Sequence, residues 1–135
     1  MTLLLAAKCE KGIILMADGL CRGVNPDGTS SVLSDEIQKL FPLGGRPIII
    51  AHHGQNVLNG RPVVEYITRI APEVDNARTV ANIADYVEQS LDGIVRNTLA
   101  GLAASGINSG CGFWIAGYGP DDSTATLIEV FWEPM

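Results

Sequence analysis

The hydrophobic pattern of this 135-residue chain changes its period twice, and that change limits the fold more than any other feature. Before Pro62, short apolar runs lie between turn residues, which is typical of β-strands. From Pro62 to Leu102, apolar residues recur at intervals of three and four, which predicts helices. After Gly106 the strand pattern returns. We therefore expect four strands, two helices and two strands in a single domain over residues 1–135.

The turn residues set the bounds of the predicted strands. Two apolar runs on either side of Glu10-Lys11-Gly12 predict a tight β-hairpin, and Gly44-Gly45-Arg46-Pro47 separates the third and fourth strands. Residues 19–35 predict a loop with one short extended piece near Ser31–Leu33. The predicted strands are Leu3–Cys9, Gly12–Asp18, Glu36–Leu43, Ile48–His52, Cys111–Tyr118 and Thr124–Trp132.

Two helices are predicted in the middle of the chain. Pro62 suits the first position of a helix that Pro72 ends. A cap at residues 75–76 begins a longer helix, which ends at Gly101 to Gly106. Its apolar stripe consists of Val80, Ile83, Val87, Leu91, Ile94, Val95, Leu99 and Leu102. Antiparallel strands combined with a helix pair predict an α+β fold in which both helices pack on one face of the sheet and leave the other open.

Composition excludes several functional classes. Hydrophobic residues make up 47% and charged residues 18%, which excludes disorder and suggests that a partner covers some apolar surface. A net charge of −6 argues against nucleic-acid binding. No apolar run reaches the roughly 18–20 residues that span a membrane. Three widely spaced cysteines (Cys9, Cys21 and Cys111) predict reduced thiols in a cytoplasmic protein, with Cys9 and Cys111 in the core.

Thr2 carries two reactive groups if Met1 is removed. Its hydroxyl can act as a nucleophile and its own α-amine as a base. Such chemistry needs a lysine and an aspartate nearby, and Asp18 and Lys39 are candidates. Taken alone, Asp18 is better explained as a turn residue before Gly19.

The surroundings of Lys39 in the sequence favour a special role. Strand alternation places Ile37, Lys39 and Phe41 on one face, so the lysine shares its face with two apolar side chains. An exposed lysine on an edge strand is the alternative.

Several short motifs together resemble a proteasome β-subunit and, more loosely, the bacterial two-ring proteasome-like protease. They are Thr2, the turn Lys11-Gly12, the runs Met16-Ala17-Asp18 and Ile37-Gln38-Lys39-Leu40-Phe41, and a buried strand ending in Gly54. The match continues through the helix pair to Trp132 and covers the N-terminal part of that family's fold. The resemblance implies a sandwich of two antiparallel sheets between helices, assembly into stacked rings, and peptide-bond hydrolysis without a cofactor or metal.

The resemblance also implies a role for each site residue. Thr2 would attack the carbonyl carbon, and its free α-amine, with an ordinary pKa of about 7.7–8.0, would accept the proton. Lys39 would favour the alkoxide, Asp18 would hold Lys39 charged and oriented, and the Gly54 N–H would bind the oxyanion. The pocket for the side chain before the scissile bond would be lined by Cys21, Ile37, Phe41 and His52.

Other interpretations stay open. The pair His52-His53 suggests a metal site, but adjacent strand residues point to opposite faces, which favours a pocket or packing role. The sequence as a whole predicts a cytoplasmic, homo-oligomeric threonine-type peptidase acting on peptides or proteins, with any unfoldase partner unidentified. The alternatives are a non-catalytic subunit with an assembly role and an amidase acting on a small molecule.

Overall fold

The computed structural model describes residues 3–10, 12–19, 21–24, 30–34 and 36–135, and for residues 21–24 and 30–34 it describes the backbone. Within these ranges the helices are α1 (Val63–Glu73) and α2 (Val80–Ala104). The strands are β1 (Leu4–Cys9), β2 (Gly12–Ala17), β3 (Cys21–Val24), β4 (Ser30–Ser34), β5 (Leu40–Pro42), β6 (Ile48–Gly54), β7 (Val57–Leu58), β8 (Arg61–Pro62), β9 (Cys111–Gly117) and β10 (Thr126–Trp132).

The described residues fold into a mixed α+β structure with antiparallel sheets and two helices, as predicted. The central sheet has the order β10-β9-β6-β5. In its register Ile50 of β6 pairs with Ile115 of β9, which pairs with Ile128 of β10. The remaining described strands form two-stranded hairpins, namely β1–β2, β3–β4 and β7–β8.

The core lies between the central sheet and the helices. Alternate residues of the middle strands, among them Ile50, Phe113 and Ile115, are fully buried on this side. The helices contribute the stripes Val63, Tyr66, Ile67 and Ile70, and Val80, Ile83, Val87, Leu91, Val95 and Leu99. Each fully buried aliphatic side chain contributes about 1.5–3 kcal/mol to folding. The predicted helical stripe is therefore confirmed, with Ile94 and Leu102 at its partly buried margin.

The β1–β2 hairpin lies near the opposite face of the sheet. Ile13 and Leu15 line a cavity together with Ile49 and Ala116, so this face is partly covered rather than open. The outer face of the hairpin, which we call the hairpin face (Leu5, Ile14 and Met16), is exposed. Cys9 at the end of β1 is also exposed, so its predicted core position is wrong.

The helix ends differ from the prediction. Pro72 lies inside the last turn of α1, where it removes only one helical hydrogen bond and the helix continues for one more residue. Thr79, not residues 75–76, caps α2, since its side-chain oxygen accepts an amide hydrogen of the first turn at 3.1 Å. Gly101 is inside α2, and Gly106, with φ +77°, follows its end.

Two strand predictions also differ. The segment 36–43 contributes only the three-residue strand β5. The Lys39 carbonyl still accepts the His52 N–H of β6, but before Lys39 the chain meets the β1–β2 hairpin, where the Ile37 N–H donates to the Gly19 carbonyl. The loop predicted over residues 19–35 contains two paired strands, β3 and β4, rather than one extended piece.

Candidate active site

The first part of the site is the open end of the β1–β2 hairpin. The hairpin register pairs Leu4 with Ala17 and continues to Leu3 and Asp18. The Asp18 N–H donates to the Leu3 carbonyl at 3.2 Å, and the Leu3 N–H donates to Asp18 Oδ1 at 3.3 Å. The Asp18 carboxylate is therefore bound to the residue that follows Thr2 in the chain. Thr2 itself lies outside the described residues.

The second part is an ion pair between Asp18 and Lys39. Lys39 Nζ lies 2.5 Å from Asp18 Oδ1, and the exposed fractions of the two side chains are 32% for Asp18 and 4% for Lys39. The hydrogen bond from Lys39 is the main reason that the pKa of Asp18 is lowered, and the Leu3 amide contributes in the same direction. Lys39 is thus a buried cation held by a carboxylate, rather than an exposed lysine on an edge strand.

A backbone hydrogen bond fixes where the lysine segment meets the hairpin. The Ile37 N–H donates to the Gly19 carbonyl at 2.9 Å. Ile37 lies two residues before Lys39, and Gly19 lies one residue after Asp18. The bond between them therefore sets the distance between the two charged side chains. Ile37 itself is half-buried.

Gly54 ends β6 in a conformation that suits glycine. Its φ is +83°, and a Cβ atom there would lie 2.3 Å from the Gly110 carbonyl oxygen. The His52 N–H donates to the Lys39 carbonyl at 2.8 Å, so the N–H groups of even-numbered β6 residues point towards the Lys39 segment. By this alternation the Gly54 N–H points to the same edge of the sheet.

The predicted pocket residues are brought together in part. Phe41 pairs with Ile50 across β5 and β6, and the residue two before it, Lys39, lies opposite His52. Phe41, Lys39 and His52 are all buried. Cys21 is the first residue of β3, of which only the backbone is described.

His52 lies in an aromatic part of the core. Its ring is tilted against Phe113 at 5.3 Å, and its Nε2 lies 2.9 Å from the Gln55 carbonyl oxygen. Burial lowers its pKa to about 4, so the ring is neutral at pH 7. We assign the proton to Nε2, which leaves Nδ1 as a buried acceptor without a hydrogen-bond partner in the described part of the chain. His52 is therefore a poor general base at neutral pH.

Cys111 packs beside this histidine. Its Sγ lies 4.0 Å from His52 Nε2 and 3.8 Å from the Gln55 carbonyl oxygen. Burial raises the pKa of the Cys111 thiol to about 12, so the thiol stays protonated and is not a nucleophile near neutral pH. Its predicted core role is confirmed.

Two backbone groups that build the site are not among the residues that the sequence motifs single out. They are the Leu3 N–H, which binds Asp18, and the Gly19 carbonyl, which binds Ile37. The register of the hairpin supplies the missing signal for the first. Cys9 pairs with Gly12, and each step outward along the hairpin joins the next residue on either side, as far as Leu4 with Ala17. One further step puts Leu3 opposite Asp18.

Comparison with protein-family models, with curated proteins and with solved structures finds no match to this chain. In the described residues, no three His, Cys, Asp or Glu side chains come together in a way that would hold a metal ion. Neither described helix is long and apolar enough to cross a membrane. Evidence on function therefore comes from the residues of the site.

Proposed function

We propose that this protein is an N-terminal-nucleophile hydrolase, a proteasome-like threonine peptidase that hydrolyses peptide bonds with Thr2 once Met1 is removed. One observation supports this most directly. Asp18 Oδ1 accepts hydrogen bonds from both Lys39 Nζ, at 2.5 Å, and the Leu3 amide, at 3.3 Å. Leu3 follows Thr2 in the chain, so the carboxylate that holds the buried ammonium is bound to the residue next to the proposed nucleophile.

The proposed reaction has two stages. The Thr2 hydroxyl oxygen attacks the carbonyl carbon while the Thr2 α-amine takes the hydroxyl proton. The C–N bond then breaks, the leaving amine receives that proton, and an ester joins the acyl group to Thr2. Water attacks the ester with the α-amine again as base, which releases the acid and restores the hydroxyl.

Lys39 and Asp18 have electrostatic roles in this scheme. The ammonium of Lys39 stabilises negative charge on the threonine oxygen, and its burial strengthens that interaction relative to water. Asp18 has a lowered pKa and is therefore ionised at neutral pH, where it fixes the direction of the Lys39 side chain. In the proposal these two residues act on the nucleophile and do not bond to the substrate.

Gly54 and the pocket residues complete the proposal. The Gly54 N–H, which alternation aims at the Lys39 edge, donates to the developing oxyanion. In the proposal Ile37 and Phe41 line an apolar pocket, of which Cys21 is another proposed member. His52, which is 1% exposed, packs against Phe113 in the core and does not contact the substrate.

The proposal includes a family-like architecture. We propose a sandwich of antiparallel sheets and helices of the proteasome type, a homo-oligomer, and a cytoplasmic location. The exposed hairpin face supports self-association, because three large apolar side chains on one small hairpin favour burial against a neighbouring copy. The substrate class is a peptide or protein.

The test is an intact-mass measurement before and after treatment with an electrophilic β-lactone. We expect loss of Met1 and a single covalent adduct that the Thr2→Ala variant does not form. Lys39→Met should slow adduct formation by at least about 100-fold, a typical effect of removing electrostatic stabilisation, whereas the exposed-lysine control Lys8→Met should not. A retained Met1 with no adduct would contradict the proposal.

A second measurement separates peptidase from amidase activity. We expect the parent protein to cleave unstructured peptides and the Thr2→Ala variant to leave them intact. Cleavage of small amides alone, lost in the same variant, would keep the chemistry of Thr2 but overturn the proposed substrate class.

A further inference from the structure

Strand β10 forms one border of the central sheet and has the features of an unprotected edge. It pairs with β9 over all seven residues, Thr126–Trp132, without a register shift. No other strand in the described ranges pairs with its second side. It has no proline, lysine or bulge, which are three of the usual means of protecting an edge strand from further pairing, and its one charged residue is Glu129.

The backbone groups at this edge follow from the ladder. Gly110 is the residue before β9, and its carbonyl accepts the Gln55 N–H at the end of β6. Because backbone groups alternate in direction along an antiparallel strand, the even-numbered residues of β9 also direct their N–H and C=O groups towards β6. Odd-numbered residues of β9 then bond to β10, where their partners are even-numbered. It follows that Leu127, Glu129 and Phe131 direct their N–H and C=O groups outward, away from β9.

The side chains of these same three residues lie on the sheet face opposite α2. Leu127 and Phe131 are 39% and 48% exposed, and the Glu129 side chain is 49% exposed. The intervening residues Val130 and Trp132 are buried towards the helix. The edge thus presents an apolar, an acidic and an apolar side chain in alternation, which we call the β10 edge (Leu127, Glu129 and Phe131).

The Glu129 carboxylate is held in a fixed position. Its Oε1 accepts a hydrogen bond from Trp114 Nε1 at 3.0 Å and lies 3.2 Å from His53 Nε2. The His53 ring stacks on Phe131 with a centroid distance of 5.6 Å, and Gly112 beneath has no room for a side chain. Both contacts use the same oxygen, so Oε2 remains as an acceptor for an incoming group.

We propose that the β10 edge binds an extended segment of a partner protein as an added antiparallel strand, with a basic side chain opposite Glu129 and apolar side chains opposite Leu127 and Phe131. Three outward N–H and three outward C=O groups supply the backbone bonds of such a strand. The fixed carboxylate and the aromatic rings beside it suit a guanidinium or ammonium group. This binding is independent of any chemistry at Thr2.

Charge complementarity selects the partner over a second copy of this chain. Two β10 strands paired antiparallel about their centres would place two Glu129 carboxylates opposite each other, and like charges in that position are destabilising. The net charge of −6 adds to this repulsion and attracts a basic segment.

The test uses the full chain and two seven-residue peptides of alternating valine and threonine, one with arginine and one with glutamate at its centre. In an NMR titration we expect the arginine peptide to bind more tightly, by about fivefold. The indole N–H signal of Trp114 should shift, whereas that of Trp132, which donates to Asp92, should not. Hydrogen exchange should slow at the amides of the β10 edge.

Two variants make the test specific. Glu129→Lys should reverse the preference in favour of the glutamate peptide, whereas Glu133→Lys, at an exposed position just beyond the strand, should not. Leu127→Pro removes an outward N–H without breaking the β9 ladder, so it should abolish peptide binding while the even-numbered β10 amides stay protected.

Three results of the peptide titrations would overturn the inference. They are the absence of binding by either peptide, an unchanged preference in Glu129→Lys, and binding that survives Leu127→Pro in the folded variant. Concentration-dependent dimerisation that protects the β10 edge without peptide would also overturn it, in favour of a second copy.

Discussion

The buried imidazole of His52 should make this protein lose stability at mildly acidic pH. The ring is 1% exposed, and burial lowers its pKa from 6.5 to about 4. In the unfolded chain the same ring has its ordinary pKa. At a pH between these two pKa values, the unfolded state binds more protons than the native state. The free energy of unfolding therefore falls as the pH decreases from about 6.5 to about 4.

The size of the effect follows from the two pKa values. The native and unfolded pKa values of His52 differ by about 2.5. Once the ring is protonated in both states, the free energy of unfolding has fallen by about 3.4 kcal/mol. At pH 5, which lies between the two values, about 2 kcal/mol of this is lost relative to pH 7.5. Folding stabilities of small domains are about 5–15 kcal/mol, so the loss is large enough to measure.

The assay is urea-induced unfolding at pH 5.0 and pH 7.5 for the parent and for His52→Gln. Glutamine keeps an N–H donor for the Gln55 carbonyl but does not titrate. We expect the variant to lose about 2 kcal/mol less than the parent between the two pH values. His53→Gln is the matched control, because it removes an imidazole from the same strand that is still in contact with solvent. Equal pH dependence in the parent and His52→Gln would refute the reasoning.

Three further perturbations test other parts of the structure. Gly54→Ala should destabilise the fold by at least about 3 kcal/mol, because the new methyl meets a backbone carbonyl at a positive φ, whereas Gly44→Ala, also at positive φ but in open space, should cost about 1 kcal/mol in the same urea assay. Thr79→Ala should cost about 1 kcal/mol in thermal or urea unfolding through loss of the α2 cap, and a change below a few tenths would argue against the cap. Lys39→Met should raise the pKa of Asp18 towards its ordinary value, measured by carbon-detected NMR titration of the carboxyl group; an unchanged pKa would show that the ion pair does not form in solution.

The helices and strands with a regular apolar pattern could be predicted from the sequence, since each buries many side chains at the same spacing. The stripe from Val80 to Leu99 and the apolar runs of β6 and β9 are of this kind. The helix ends could not, because they depend on single contacts. Asp75 and Thr79 are both good capping residues, and only the folded chain shows which one accepts the amide hydrogen.

The site was predictable to a similar degree. The alternation of side chains along a strand indicated that Lys39 shares a face with Phe41, and both side chains are buried. It did not indicate that the Ile37 N–H binds the Gly19 carbonyl, which is a contact between distant segments with no local signature. Likewise the fully buried state of His52 depends on Phe113, some sixty positions later, so the sequence could not distinguish a pocket wall from a core residue.

The position of β9 in the middle of the central sheet has a consequence for synthesis on the ribosome. Gly54 and Cys111, which pair at one end of β6 and β9, are separated by 56 residues of sequence. At about 5–20 residues per second, translation of that interval takes roughly 3–11 s. During that time β6, with Ile48 and Ile50, has been made but its main neighbour has not. The nascent chain therefore exposes an apolar strand for seconds, and this is the interval in which a chaperone that binds extended apolar segments would meet it.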